Sequence, residues 1–493
     1  MYLQDLLYDW PDVLPSNPWL TGLSFDTRQL QPGQAFIALQ GWQFDGRCFI
    51  DQAIQQGASV ILESTTNAER GWSWYGDTLC IYWPNIQQSL SELAARFYNY
   101  PGQYLQITGV TGTNGKTSIA HLLSQAKTIL GKPCLYSGSL GQGTPNNLQA
   151  TTYGLTTPDA IDMQRLLLDW YQQGYHHIAM EVSSHALDLG RVNAVPFANA
   201  IFSNISHDHL DYHGSMEHYI EAKSRLFKRS SLNAVMLNAD DSYSSTMYQA
   251  IINPNTRVCY YSIDNEPFKS ADAFIKVSSY DLSVNGIDAQ LESSWGKGEL
   301  NSQLLGRFNL ANLLAVMSAL CMEGFEWHQV LKAIAQCQPV PGRMESIRVP
   351  GQPAVVVDYA HTPDALEQML ITVRSSTASR LYCIFGCGGD RDRQKRPLMG
   401  EVASQYAQKI WLTDDNPRHE SSLAIINDIQ KGVDPAIDCY TEPDRGKAIE
   451  QALSMATNGD VVVIAGKGRE RYNSVLCDHS CCDVDVVHQC LDL

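Results

Sequence analysis

The 493-residue chain is predicted to be an α/β protein of three domains, and three observations carry that prediction. Apolar strands alternate with helical stretches, several strands end in a polar cluster, and two turn-rich segments cut the chain into pieces of ordinary domain size. The first break is Tyr98-Asn99-Tyr100-Pro101-Gly102 and the second is Pro339-Val340-Pro341-Gly342. The expected units are residues 1–101, a smaller α/β domain; 102–340, a central P-loop ATPase-like domain on a parallel sheet; and 341–493, a Rossmann-like α/β domain.

The central unit is anchored by one loop. Residues 104–110 alternate like a half-buried strand, and beyond Ser118 apolar residues recur at Ile119, Leu122, Leu123, Ala126 and Leu130, a helical spacing closed by Gly131 and Pro133. Between them stands Gly112-Thr113-Asn114-Gly115-Lys116-Thr117. At a helix N-terminus, unpaired N–H groups and the positive dipole end hold phosphate; Lys116 can reach the terminal phosphates and the Thr117 hydroxyl can bind Mg²⁺. ATP consumption is therefore expected, although the usual first glycine is replaced by Val110, flanked by Gly109. Strands are also expected at 177–182 and 198–203. Glu181, near the end of the first, is placed to hold Mg²⁺ opposite Thr117. After the second, residues 206–213 pack five potential ligands into eight positions, but imidazole is an unusual Mg²⁺ ligand and composition leaves the metal open.

In the last unit, strands at 354–357, 381–385, 410–413 and 461–465 read as a parallel sheet. Each ends in a polar cluster: Asp358-Tyr359-Ala360-His361, residues 386–391, 414–418 and 466–470. Open α/β sheets bind ligands beyond the carboxyl ends of their strands, so four such ends mark a site.

Composition narrows the function. A hydrophobic content of 44% with 18% charged residues is globular, and a formal charge of −17 argues against a nucleic-acid partner. Met1-Tyr2-Leu3-Gln4-Asp5 carries no basic leader, and no apolar run approaches the ~18 residues of a membrane span, so no membrane insertion and a cytoplasmic location are expected. Thirteen scattered cysteines suit reduced thiols. Cys477, Cys481, Cys482 and Cys490, with His479 and His488, match no paired zinc spacing and read as terminal-helix cysteines.

The P-loop, Glu181-Val182-Ser183-Ser184-His185, Asp208-His209, Asn238-Ala239-Asp240-Asp241, residues 306–312 (GRFNLAN) and 358–365 (DYAHTPDA) together resemble the Mur ligases, ATP-dependent amide-forming enzymes of peptidoglycan synthesis. The resemblance runs from about residue 23 to 470 in the family's order. It implies that Thr111, Gly112, Thr113, Asn114, Gly115, Lys116 and Thr117 bind ATP, with Asn309 and Asn312 on the adenine side and Arg343 and Asp358 contacting the nucleotide from the third domain. Two Mg²⁺ ions are implied, with Thr117, Glu181, His209 and Lys223 as ligands and Lys116, Glu181, His209 and Lys223 as the catalytic set. Lys223 aligns with the family's lysine carbamylated by CO₂; read alone it would be a solvated helix lysine.

Asp415-Asn416-Pro417-Arg418 resembles the signature of family members that add meso-diaminopimelate to UDP-N-acetylmuramoyl-L-alanyl-D-glutamate. Diaminopimelate differs from lysine by a carboxylate, which a guanidinium can take bidentately; Arg418 and Arg391 are the expected donors, Glu470 the acceptor for the ammonium, and Gly466 lies at the same end. The resemblance assigns Phe25, Thr27, Trp42, Gln43 and Phe44 to the uridine diphosphate and Thr156, Thr157, Ser183 and Arg191 to the muramoyl dipeptide. Leu155, Leu189, Trp42 and Arg469 depart from the residues common in the family. The implied reaction passes through an acyl phosphate, with hinge closure of the third domain over the second, in a monomer acting on small molecules. A lysine-adding Mur ligase or a folylpolyglutamate synthase-like ligase is the alternative; the latter needs neither the uridine segments nor residues 415–418. A P-loop regulatory switch or scaffold would not need the amino-acid-recognising strand ends of the third domain.

Overall fold

The computed structural model describes residues 1–492 except 12, 42–44, 66–69, 152–153, 266–270, 284–285, 376, 378 and 478, so Trp42, Gln43 and Phe44 lie outside the described residues. Three sheets follow one another along the chain. The first has five strands in the order Leu23–Ser24, Ala35–Ala38, Val60–Thr65, Thr78–Pro84 and Gly71–Tyr75, all parallel except the last, which forms a hairpin on its neighbour.

The middle sheet has eleven strands, and its centre explains the position of the P-loop. Gln106–Thr111 lies between His177–Glu181 and Phe197–Phe202, parallel to both. Because the chain leaves this central strand toward both sides, its carboxyl end is a topological switch point, where an α/β sheet opens a crevice. Lys116–Ile129 then begins immediately after the loop and buries Ile119, Leu122, Leu123 and Ala126 in the core that it shares with the helix Arg307–Met322. The strand starts two residues later than its alternation predicts, because Pro101–Tyr104 forms a 3-10 turn and the Tyr104 ring stacks on Tyr171 at 4.9 Å.

The middle sheet is parallel through its centre, as expected, and gains antiparallel strands at both edges. Gly286–Ser293 and Gly296–Ser302 extend one edge antiparallel, and Gly141–Thr144 and Asn147–Gln149 extend the other. Short connections at both edges allow antiparallel hairpins, whereas a parallel neighbour requires a long crossover. The third sheet runs Glu345–Ile347, Ala354–Asp358, Val461–Ala465, Leu381–Phe385, Lys409–Leu412 and Asp438–Thr441, antiparallel only at the first strand. All thirteen cysteines are free thiols, with Cys481 and Cys482 buried in the core beneath this sheet. Among the described residues no helix is long and apolar enough to cross a membrane.

Candidate functional site

The P-loop is held open by its neighbours. Asn204 Oδ1 accepts the Asn114 N–H at 2.9 Å, Ser203 Oγ donates to the Asn114 carbonyl at 2.6 Å, and Thr113 Oγ1 lies 3.0 Å from the Tyr219 hydroxyl. Gly112 has φ of 150°, and a Cβ there would collide with Ser203 Oγ, so a side chain at this position would push the loop off its clamp. Lys116 Nζ donates back to the Gly112 and Thr113 carbonyls at 2.9 and 2.8 Å. Burial lowers its pKa, while Glu181 and Asp208 partly restore the charge.

Lys223 is not a solvated helix lysine. It comes from Met216–Ser224, is 1% exposed, and its Nζ donates to the same Gly112 carbonyl at 2.7 Å while lying 4.5 Å from the centre of the Tyr219 ring. Two amines thus converge on one acceptor. Burial, reinforced by the Lys116 charge, drives the Lys223 pKa well down and favours the neutral amine.

Glu181 is also buried, at the carboxyl end of its strand and in register with Val110. Its Oε1 accepts the Tyr136 hydroxyl at 2.5 Å, the Ser139 N–H at 2.8 Å and the Ser139 hydroxyl at 3.1 Å, whereas Oε2 accepts only Ser139 Oγ, at 3.1 Å. One oxygen is locked and the other keeps lone pairs for a cation. Thr117 Oγ1 accepts the Arg343 guanidinium at 2.8 Å. His209, at φ 55°, is kept neutral by burial despite Asp208 Oδ2 at 3.3 Å. Burial alone would raise the Asp208 carboxyl, but His209, His361, Lys395 and Lys116 together hold it far below its usual range. Among the described residues no group of three His, Cys, Asp or Glu side chains converges as a metal site.

Asn309 and Asn312 sit buried in the first turns of Arg307–Met322, joined by a 3.1 Å bond, and Asn312 Oδ1 would lie 2.6 Å from a Cβ placed on Gly115. They therefore lie beside the P-loop. Arg343 also packs over Tyr359, 4.2 Å from the ring centre. Both Asp358 oxygens are engaged by backbone, Oδ2 by Met344 N at 2.6 Å and Oδ1 by Ala360 N at 2.8 Å, so this carboxylate braces the turn that presents Arg343.

On the other side of the Glu181 strand, Thr157 Oγ1 donates to the Glu181 carbonyl at 2.9 Å and accepts the Ser183 N–H at 3.1 Å, and Arg191 Nη1 donates to the Thr157 carbonyl at 3.3 Å. Thr156 precedes this knot, half-buried. Leu189 has no polar side chain to offer; its carbonyl accepts Gln87 Nε2 at 3.4 Å and its N–H donates to His185 O at 2.9 Å. Phe25 lines a small cleft of about 100 Å³ with Leu23, Ser24, Tyr98, Asp162 and Arg165, while Thr27 is buried nearby in sequence.

The third sheet turns its strand ends toward the P-loop. Asn114 Nδ2 donates to Asp364 at 3.0 Å, His207 lies 3.1 Å from Asp392, and Arg391 lies 3.4 Å from Asp211, which is a closed arrangement of the two units. Arg391 and Arg418 both border Gly388: a Cβ on that glycine would lie 2.8 Å from Arg418 Nη1 and 3.5 Å from Arg391 Cγ. Gly389 N donates to Asn416 O at 2.8 Å, and a Cβ on Gly389 would collide with the Pro417 carbonyl, so the two loops are in backbone contact. At the next strand end, beyond Gly466, Lys467 is 1% exposed and stands 3.2 Å from Asp415 and 3.7 Å from Glu470, whose other oxygen accepts the Tyr359 hydroxyl at 2.7 Å. Arg469 pairs with Glu345. Sequence reasoning missed Lys467, Tyr136, Ser139, Ser203 and Asn204; Ser203 and Asn204 could have been found as the polar residues that close the strand beside the P-loop.

Comparison with known proteins agrees with this geometry. The models for the Mur ligase family catalytic domain, the Mur ligase middle domain and the Mur ligase glutamate ligase domain match residues 20–98, 110–320 and 342–468. The UDP-N-acetylmuramoyl-L-alanyl-D-glutamate--2,6-diaminopimelate ligase of Chromobacterium violaceum is 41% identical over 454 residues, covering 91% of this chain and 90% of its own. The enzyme of the same name from Coxiella burnetii is 40% identical over 96% of each chain. A solved structure of a ligase with this name superposes with a TM-score of 0.68 at 35% identity, covering 100% of this chain and 99% of that one.

Proposed function

The chain belongs to the Mur ligase family, and we propose that it joins meso-diaminopimelate to the D-glutamyl γ-carboxylate of UDP-N-acetylmuramoyl-L-alanyl-D-glutamate, driven by ATP, in peptidoglycan synthesis. The observation that carries this is that Arg391 and Arg418 both border Gly388, on the face of the third unit that closes over the P-loop. Guanidinium groups at this strand end, that of Arg418 beside Gly388 and that of Arg391 within reach of Asp211, suit the carboxylate that distinguishes diaminopimelate from lysine. Asp415 and Glu470, bridged by Lys467, offer acceptors for an ammonium at the adjoining strand end.

The division of labour follows residues 1–101 for the nucleotide-sugar, 102–340 for ATP and 341–493 for the amino acid. Phe25 and Thr27, with Trp42, Gln43 and Phe44, hold the uridine diphosphate; Thr156, Thr157, Ser183 and Arg191 hold the dipeptide. The P-loop amides, Asn309, Asn312 and Arg343 orient ATP so that its γ-phosphoryl faces the carboxylate. Lys116 exchanges its loop carbonyls for phosphate oxygens. Mg²⁺ would neutralise phosphate charge, and Thr117, Glu181, His209 and Lys223 would hold it: Glu181 has one oxygen locked and one available, and His209 is in the neutral, ligating form.

Lys223 supplies the missing anionic ligand as a carbamate. Its neutral amine adds CO₂, a C–N bond forms, and the proton leaves to solvent; the resulting anion also relieves the opposition of two amines at Gly112 O. The γ-carboxylate oxygen then takes the phosphoryl group from ATP, releasing ADP, and the amine of diaminopimelate displaces phosphate from the acyl carbon. Closure of the third unit keeps water from that acyl phosphate. The protein works as a cytoplasmic monomer. Phosphate release should require UDP-N-acetylmuramoyl-L-alanyl-D-glutamate and meso-diaminopimelate together; release with folate and glutamate, or with ATP alone, would refute the assignment.

A further inference from the structure

A second cationic cleft lies away from the P-loop, at the seam between the first and middle units. It encloses about 410 Å³ and is lined by Gln88, Leu187, Asn193, Arg225, Lys228 and Arg229. In a chain of net charge −17, the one ion pair that these three cations make among the described residues is that of Arg225 with Asp188, at 2.8 Å. Among the described residues Arg229 donates only to the backbone and side-chain carbonyls of Asn193, at 2.8 and 3.2 Å, and its buried Nε has no hydrogen-bond partner. Lys228 is exposed and has no carboxylate within ion-pair distance among the described residues. A partly buried guanidinium without a counterion is electrostatically incomplete.

A helix end adds to this field. Gln88 belongs to the first turn of Ile86–Phe97, whose N-cap Asn85 is left-handed and takes the Gln88 N–H on its carbonyl at 3.0 Å but places no side-chain bond on the helix N–H groups. Such an end attracts anions, and here it meets a cationic wall rather than standing alone. The cleft is distinct from the one that includes Phe25: Tyr98 lines that cleft at the other end of the same helix, about 15 Å from Gln88 at 1.5 Å per residue. The middle-unit wall follows directly on Met216–Ser224, the helix that carries Lys223.

We propose that this seam cleft is a binding site for a multivalent phosphate anion, which fastens the first unit to the middle one. Phosphate oxygens would take the Lys228 ammonium, the Arg229 Nη groups in place of Asn193, and the helix end together, donors that no single protein acceptor serves. The site does not depend on the ligase assignment.

Calorimetric titration of the full chain with inorganic diphosphate, without metal, separates it from the P-loop. Two classes of site are expected; Lys116→Ala should remove one, and Lys228→Glu should weaken the other at least ~10-fold. Lys228 is exposed, so that variant should keep the wild-type melting curve, and Arg229→Gln should act in the same direction. Saturation with UDP-N-acetylmuramoyl-L-alanyl-D-glutamate should leave the Lys228-dependent site open. The proposal is overturned if Lys116→Ala binds no diphosphate, if Lys228→Glu leaves the titration unchanged, or if the nucleotide-sugar displaces diphosphate from this site, which would make the cleft part of that substrate's own binding path.

Discussion

Replacing Arg418 by glycine should separate diaminopimelate from lysine, because the structure commits only part of this guanidinium. Nη1 donates to Gly389 O at 2.7 Å and to Asn416 O at 3.5 Å; Nε and Nη2 carry no hydrogen bond among the described residues. Two charge-assisted bonds to a substrate carboxylate contribute about 1.5–3 kcal/mol each. Arg418 is exposed, so the lower value applies and the loss is about 3 kcal/mol, or ~10²-fold in kcat/KM at 1.4 kcal/mol per decade. Glycine is the informative replacement. Arg418 sits at φ 50°, where a Cβ is strained and glycine is not, so Arg418→Gly removes the guanidinium while keeping the loop backbone. Coupled phosphate-release kinetics should show kcat/KM for meso-diaminopimelate falling ~10²-fold while the low activity with L-lysine changes less than ~3-fold. Equal losses with both amino acids would refute the role of Arg418, as would a wild-type enzyme that uses L-lysine as well as meso-diaminopimelate.

Lys116→Ala should abolish turnover with an unchanged melting curve, since among the described residues Lys116 Nζ hydrogen-bonds only to loop carbonyls; amide formation at a wild-type rate would remove the P-loop from the mechanism. Lys223→Ala should be inactive and partly rescued by short-chain carboxylates, and intact-mass analysis under CO₂ should show the carbamate's mass on the wild type alone; no rescue and no added mass would count against the carbamate. Stability should fall below about pH 6.5 because burial pushes His121 down to about 4: the unfolded chain binds a proton that the folded chain refuses, so folding weakens as pH drops. At about 1.4 kcal/mol per pH unit, His121 alone should contribute about 2 kcal/mol of the stability lost between pH 6.5 and 5 in urea unfolding, beside the share of other buried histidines such as His185 and His209, and His121→Leu should reduce the loss by that amount; an unchanged slope would show that His121 does not contribute.

Much of this protein can be read from local pattern. The P-loop helix, the strand carrying Glu181 and the four strand ends of the third sheet announce themselves because an apolar run must end where polar residues begin. Antiparallel edge hairpins are harder to read, since alternation does not tell which neighbour a strand will choose. The buried state of Lys223 was equally hidden: its helix reads as polar in sequence, and only packing against Tyr219 and the P-loop removes it from water. Tyr136, Ser139 and Lys467 act by orienting Glu181, Asp415 and Glu470, and such support leaves no motif of its own because its partners lie far away in the chain.

The most direct test uses UDP-N-acetylmuramoyl-L-alanyl-D-glutamate carrying ¹⁸O in the D-glutamyl γ-carboxylate, with ATP, Mg²⁺ and meso-diaminopimelate. Mass spectrometry should find the diaminopimelate amide and one ¹⁸O in each released phosphate, because the acyl phosphate hands its bridging carboxylate oxygen to the leaving group. Phosphate without ¹⁸O, or ¹⁸O-labelled phosphate with no amide product, would contradict the account.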